Sequence, residues 1–157
     1  MSDIQYLTFE EVVSVYQKML EKSGGGLSGI REENGIKSVL VFIQDDTYYP
    51  SFEEKLNHLI YSFCASHFFA DGNKRIAITV GAYFLLKNGY IFAARDLMPR
   101  LEAIIYHVAS SHIRKDLLQR IVSCIVHEVD YDESLKIELS YAMRLALNDT
   151  DEEPSHT

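Results

Sequence analysis

His67-Phe68-Phe69-Ala70-Asp71-Gly72-Asn73-Lys74-Arg75 is the stretch from which the rest of the chain is read. Before it, Phe52 to Ser66 sets Leu56, Leu59, Ile60, Phe63 and Cys64 at helical spacing. After it, Lys74 to Lys87 is apolar on most sides, through Ile76, Ile78, Val80, Ala82, Tyr83, Phe84 and Leu85. A helix apolar nearly all round is a buried, central one. The stretch is therefore a short connector between two core helices, and the fold class is all-α. Its chemistry is as dense as its position is central: an imidazole, a carboxylate, a Gly-Asn turn and two cations. A turn entering a helix leaves backbone N–H groups unpaired at the positive end of the helix dipole. That is a nest for an anion such as a nucleotide phosphate. His67 stands where an imidazole would take a proton from a hydroxyl attacking that phosphate.

Outward from this centre the helices continue. Thr8 and Glu11 form a capping box for a helix from Phe9 to Lys22, with Val12, Val13, Tyr16, Met19 and Leu20 on one face. Ser23-Gly24-Gly25-Gly26 ends it, and a flexible stretch runs on through Gly29, Arg31 and Asn34-Gly35. A short helix is expected from Ile36 to Ile43, then a loop, Asp45 to Pro50, before a second capping box at Ser51 and Glu54. Asn88-Gly89 suits a left-handed helix end. Further helices are expected over Arg95 to Ala109, Ile113 to Val126 and Glu133 to Leu147. Val39 to Ile43 and Tyr90 to Phe92 are β-prone and would form at most a minor hairpin.

The length of 157 residues fits one domain, and 47% hydrophobic with 24% charged residues is ordinary globular composition. No apolar run approaches the ~18 residues of a membrane span, and no basic segment followed by an apolar core opens the chain, so the reading is cytoplasmic. Cys64 and Cys124 both sit in helix-like apolar contexts and read as buried thiols. A net charge of −8 argues against direct nucleic-acid binding. Part of that acidity lies in Asp149, Asp151, Glu152 and Glu153, a solvated tail.

The quoted stretch resembles the signature of the Fic/Doc superfamily: His, any residue, Phe, any residue, Asp or Glu, Gly or Ala, Asn, Gly or Lys, Arg. Lys74, where most Fic proteins carry Gly, resembles the Doc (death-on-curing) branch. Gly25-Gly26 followed by Arg31, Tyr49-Pro50-Ser51 before Glu54-Lys55, and Leu86 to Tyr90 are similar to its flanking pattern. The resemblance spans about residues 4 to 127, leaving 128–157 as a C-terminal extension with an amphipathic helix over 133–147. It implies a compact helical bundle with the signature loop between two core helices, and an enzyme that transfers part of a nucleotide to a protein hydroxyl. Typical Fic enzymes attach AMP and carry a second Arg three residues after the first. Here that position is Ile78. Doc enzymes also lack that Arg; they resemble kinases and move the γ-phosphate of ATP to a Thr of elongation factor Tu, blocking translation. A non-catalytic member that only binds a nucleotide or a partner is the remaining alternative.

By the same resemblance His67 is the general base and Phe69 a structural anchor pointing inward. Asp71 holds Mg²⁺, though an Asp before a helix also serves as an N-cap. Gly72 and Asn73 shape the nest, and Lys74 and Arg75 contact phosphates, Arg75 with a bidentate grip. Thr47 to Pro50, with Tyr48 and Tyr49, is a flap that holds the target segment extended, and Arg31 faces the nucleotide. ATP and Mg²⁺ are the implied substrate and cofactor. The implied partners are a target protein with a Ser, Thr or Tyr hydroxyl and a small antitoxin. Ser134 to Leu139 approaches the inhibitory helix motif of Fic proteins but departs from it at Leu139.

Overall fold

The computed structural model describes residues 3–22 and 29–152. Ser23 to Gly26, expected to end the first helix, and the tail from Glu153 onward lie outside the described residues. The described residues form helices α1 (Phe9–Lys22), α2 (Glu33–Phe42), α3 (Phe52–Ala65), α4 (Asn73–Lys87), α5 (Ile91–Glu102), α6 (Ile105–Ala109), α7 (Lys115–Val126) and α8 (Glu133–Glu152). Among them there is no strand, only an isolated antiparallel bridge between Ile30 and Phe69. The all-α expectation holds.

Helix α4 is the hub. It packs on α1, α3, α5 and α6 and buries Ile76, Ala77, Ile78, Val80, Phe84 and Leu85. It packs tightly on α3 and α5 at Gly81, where a Cβ would stand 2.8 Å from Cγ1 of Ile60 and 3.2 Å from Cδ2 of Leu97. Any larger residue there would prise three helices apart. The end of α4 follows expectation. The N–H of Gly89 donates to Leu86 O and that of Tyr90 to Leu85 O, with Gly89 at φ 86°. This is a Schellman closure, which favours glycine at that position.

The capping box of α1 forms in both directions: Glu11 N–H donates to Thr8 Oγ1 at 3.1 Å and Thr8 N–H to Glu11 Oε1 at 3.0 Å. Glu11 also joins α1 to α4, accepting from Lys87 Nζ at 2.6 Å and from the Tyr83 hydroxyl at 2.9 Å. Burial alone would raise its carboxyl, but these donors outweigh burial and hold its pKa at about 2, below the ordinary 4.5. A depressed carboxylate stabilises the fold fully above pH 4.5, and the contribution fades as pH falls toward about 2. Glu11→Gln should remove about 1–3 kcal/mol at pH 7 and flatten the acid limb of stability between those values. Denaturant midpoints measured from pH 7 to pH 2 check this; an unchanged acid limb would refute it.

Several boundaries differ from the sequence reading. Val39 to Phe42 and Ile91-Phe92 are helical, so the hairpin does not form. The run Val39 to Ile43 obeys the helical period instead, burying Ile36, Val39, Leu40 and Ile43 while Val41 and Phe42 face out. The helix expected over Arg95 to Ala109 is two helices. It begins earlier, because Ala93, Ala94, Leu97 and Leu101 already form one buried stripe. It breaks after Glu102, three residues beyond Pro99, and helix resumes at Ile105. The C-terminal segment packs on α6 and α7, burying Leu135, Ala142 and Ala146, and its Glu138 ion-pairs with Arg120 of α7. Both cysteines are free, and burial pushes the Cys64 thiol up to about 11.

Lys55 is a fully buried cation in α3, which the sequence did not single out. Its ammonium donates to Ile43 O at 2.8 Å and to Asp46 Oδ1 at 2.7 Å, pinning the α2–α3 loop to α3. A buried lysine is tolerated only with such partners.

Candidate active site

The connector between α3 and α4 is held from inside and left open outside. Phe68 and Phe69 are buried; the Phe69 ring lies 4.2 Å from that of Tyr16, centroid to centroid, and Phe68 meets Phe63 edge-on at 5.4 Å. Asn73, the first residue of α4, clamps the loop: its Oδ1 accepts from Phe69 N–H at 3.1 Å and its Nδ2 donates to Phe69 O at 3.0 Å. Its side chain is thus engaged by the loop, so Asn73 shapes the turn and offers an anion only its backbone N–H.

With the two phenylalanines drawn inward, the polar residues point out. His67, Asp71, Lys74 and Arg75 are all exposed. His67 has φ 52°, a left-handed conformation costly for a residue with a Cβ. Strain of this kind persists where the surroundings enforce it and clusters at functional sites. Gly72, at φ 78°, is the N-cap of α4 and gives its helix no side-chain cap, so the first N–H groups of α4 have no side-chain partner there, at the turn that carries the exposed Lys74 and Arg75. Asp71 Oδ1 accepts from Gly72 N–H at 2.8 Å, which supports the turn. Its second oxygen makes no hydrogen bond among the described residues. Among the described residues no three His, Cys, Asp or Glu side chains converge to hold a metal. One open carboxylate beside a phosphate nest still fits Mg²⁺, which commonly binds through one or two carboxylates, water and the phosphates themselves.

Two further elements frame the loop. Residues 29–32 run alongside it, with Arg31 and Glu32 N–H both donating to Phe68 O and Ala70 N–H donating to Gly29 O. This brings Arg31, exposed, next to the signature. From α1, the buried Tyr16 donates its hydroxyl to Asp71 O at 3.0 Å, and burial raises its pKa. Met19 lies against Gly72, where a Cβ would come within 3.0 Å of its Cε. Sequence reading placed Tyr16 only on an apolar face; the signal it missed is that a buried tyrosine hydroxyl needs a partner.

Tyr48 and Tyr49 lie in the connection between α2 and α3. Residues 46–48 form a turn, closed by Thr47 N–H donating to Asp45 Oδ1 at 2.8 Å, with no strand there. Tyr49 stacks on His58 at 4.5 Å and shares a 3.1 Å hydrogen bond with its Nδ1. His58 precedes the end of α3 by about two turns, roughly 10 Å along the axis. Burial and the adjacent Lys115 push its pKa down to about 4, so it stays neutral. The segment paired with the signature is 29–32.

A glycine that the sequence reading took as part of a flexible stretch proves structural. A Cβ on Gly35 would stand 2.7 Å from the Phe68 ring, so only glycine lets the first turn of α2 close over that anchor. Gly35→Val should displace Phe68, lower stability by about 1–3 kcal/mol and disorder the loop. Thermal melts with amide exchange at residues 67–72 test this; a native melt with unchanged protection would contradict it.

The arrangement provides an exposed imidazole, a carboxylate with one open oxygen, two cations and an uncapped helix start, within one short loop. These are the kinds of group that phosphate binding and proton transfer from a hydroxyl require. A family model described as Fic/DOC family matches residues 6–85, which is 80 of the 157 residues and contains the whole loop. No curated protein matches the chain.

Proposed function

The chain belongs to the Fic/DOC family, whose members are typically transferases acting on proteins, and from that premise we propose that it is a Doc-like phosphotransferase. It moves the γ-phosphate of ATP to a hydroxyl of a target protein, with elongation factor Tu the kind of target the resemblance implies. It acts in the cytoplasm as the toxin of a toxin–antitoxin pair, restrained by a small antitoxin protein. The observation that supports this most is the uncapped start of α4, with Lys74 and Arg75 exposed beside the strained, exposed His67.

The target's hydroxyl oxygen forms a bond to the γ-phosphorus as the bond to the β–γ bridging oxygen breaks, and ADP leaves. His67 takes the hydroxyl proton. The N–H groups of α4, with Lys74 and Arg75, counter the charge on the phosphate oxygens. Asp71 would hold Mg²⁺, which offsets phosphate charge when bound. Tyr16 and Asn73 fix the loop, and Phe69 anchors it. Lys74 fills space that Gly leaves open, and Ile78, buried, provides no second cation where AMP-transferring relatives carry an Arg. Both features favour phosphate over AMP transfer.

Parallel incubations of a cytosolic extract with α-labelled and γ-labelled ATP test this. Label on protein from the γ position alone is the expected result. Label from the α position would mean AMP transfer, and label from neither would remove the transferase reading.

A further inference from the structure

A groove lies between the N-terminal half of α3 and the start of α7, away from the signature loop. It is an open groove of about 650 Å³, lined by Glu53, Glu54 and Asn57 on one side and by Lys115, Asp116 and Arg120 on the other. Its charges are not balanced within the groove. Lys115 lies 2.7 Å from Nδ1 of His58, and Arg120 pairs with Glu138 and Asp132 of the C-terminal segment. Glu53 is held by His127 at 3.1 Å. The carboxylates of Glu54 and Asp116 have no ion pair among the described residues. In particular, Glu54 does not complete its capping box: its N–H donates to Ser51 Oγ at 3.1 Å, but its carboxylate gives no bond back among the described residues.

The second observation is at the floor. Asn57 is only 2% exposed. Its Nδ2 donates to Lys115 O at 3.1 Å, while its Oδ1 is buried with no hydrogen-bond partner. An orphaned buried acceptor is rare and calls for a donor. Glu54 and Asp116, without an ion pair among the described residues, line the same groove against the single ammonium of Lys115, so a cationic donor with several N–H bonds suits it.

We propose that this groove is a docking site for an arginine side chain presented by a basic segment of a partner protein. A guanidinium offers five donors in a planar fork, enough for Asn57 Oδ1 and both carboxylates at once. It is less strongly hydrated than an ammonium, which suits a buried acceptor. A net charge of −8 favours approach of a basic partner. The groove has room for the arginine stem and the adjoining backbone. The inference stands apart from the phosphotransferase reading, since it uses none of its residues.

The test titrates the full chain, labelled for amide NMR, with a capped hexapeptide containing two arginines. The same peptide with citrulline, and spermine, serve as controls. The arginine peptide should shift the Asn57 side-chain amide saturably, and Glu54→Gln with Asp116→Asn should weaken it about tenfold, while thermal melts confirm the fold. Citrulline peptide should leave Asn57 unmoved, and spermine should bind more weakly. No shift at Asn57, equal binding by the double variant, or equal binding of citrulline peptide or spermine would each overturn the proposal.

Discussion

Replacing His67 with alanine should reduce phosphate transfer by about 10²–10⁴-fold, the range for loss of a general base, while leaving the melting transition close to that of the parent. The side chain is exposed, and its ring makes no hydrogen bond among the described residues, so the fold loses little. The backbone at this position sharpens the prediction. At φ 52°, a residue with a Cβ is strained, and glycine is not. His67→Gly should therefore stabilise the protein by up to about 1 kcal/mol while being as inactive as the alanine variant. Stability rising as activity vanishes is the signature of strain retained for chemistry. Transfer assays and melts on the two variants decide it; an active His67→Ala protein would remove His67 from the reaction.

The second large effect is expected at Asn73, which touches no reacting atom in the proposed reaction. Its side chain makes both hydrogen bonds that close the loop on Phe69. Asn73→Ala leaves the N–H and C=O of Phe69 unpaired in a partly buried position, a cost of about 1–3 kcal/mol for two bonds. The larger consequence is positional. The loop sets His67 and Asp71 relative to the start of α4, and displacement of about 1 Å can cost 10²-fold in rate. Transfer should fall at least tenfold, mainly in kcat, with ATP still bound through the backbone N–H groups. Wild-type kcat in Asn73→Ala would mean that the clamp is dispensable.

These two residues mark what the chain makes legible. The signature loop, both core helices around it, the Thr8–Glu11 box and the glycine-closed end of α4 depend on local rules: capping, period and left-handed turns. Such rules operate within a few residues, and the structure follows them. The helix boundary at Ile91 was obscured because Tyr90-Ile91-Phe92 is β-prone by itself and its helical stripe appears only with Ala93, Ala94, Leu97 and Leu101. The partners of the site were hidden for a different reason. Tyr16 lies 55 residues from Asp71, and Gly35 bears on Phe68 through a contact between elements that no local pattern encodes. Residues 29–32 pair with the loop through backbone groups, which carry no sequence signal of their own. Tyr48 and Tyr49, assigned by analogy to a flap, pack on Phe42, and Tyr49 also on His58, contacts that no local pattern announces. Lys55 appears as one more helix cation until its burial and its bonds to Ile43 and Asp46 are known.

The central claim is that the start of α4 holds the phosphates. A titration of the labelled full chain with ATP and Mg²⁺, read at backbone amides, tests it most directly. The expected shifts concentrate at residues 71–76 and at Arg31, are reproduced by ADP in weaker form, and are absent for adenosine at those positions. Amides 71–76 that stay still at millimolar ATP, or that respond equally to adenosine, would contradict it.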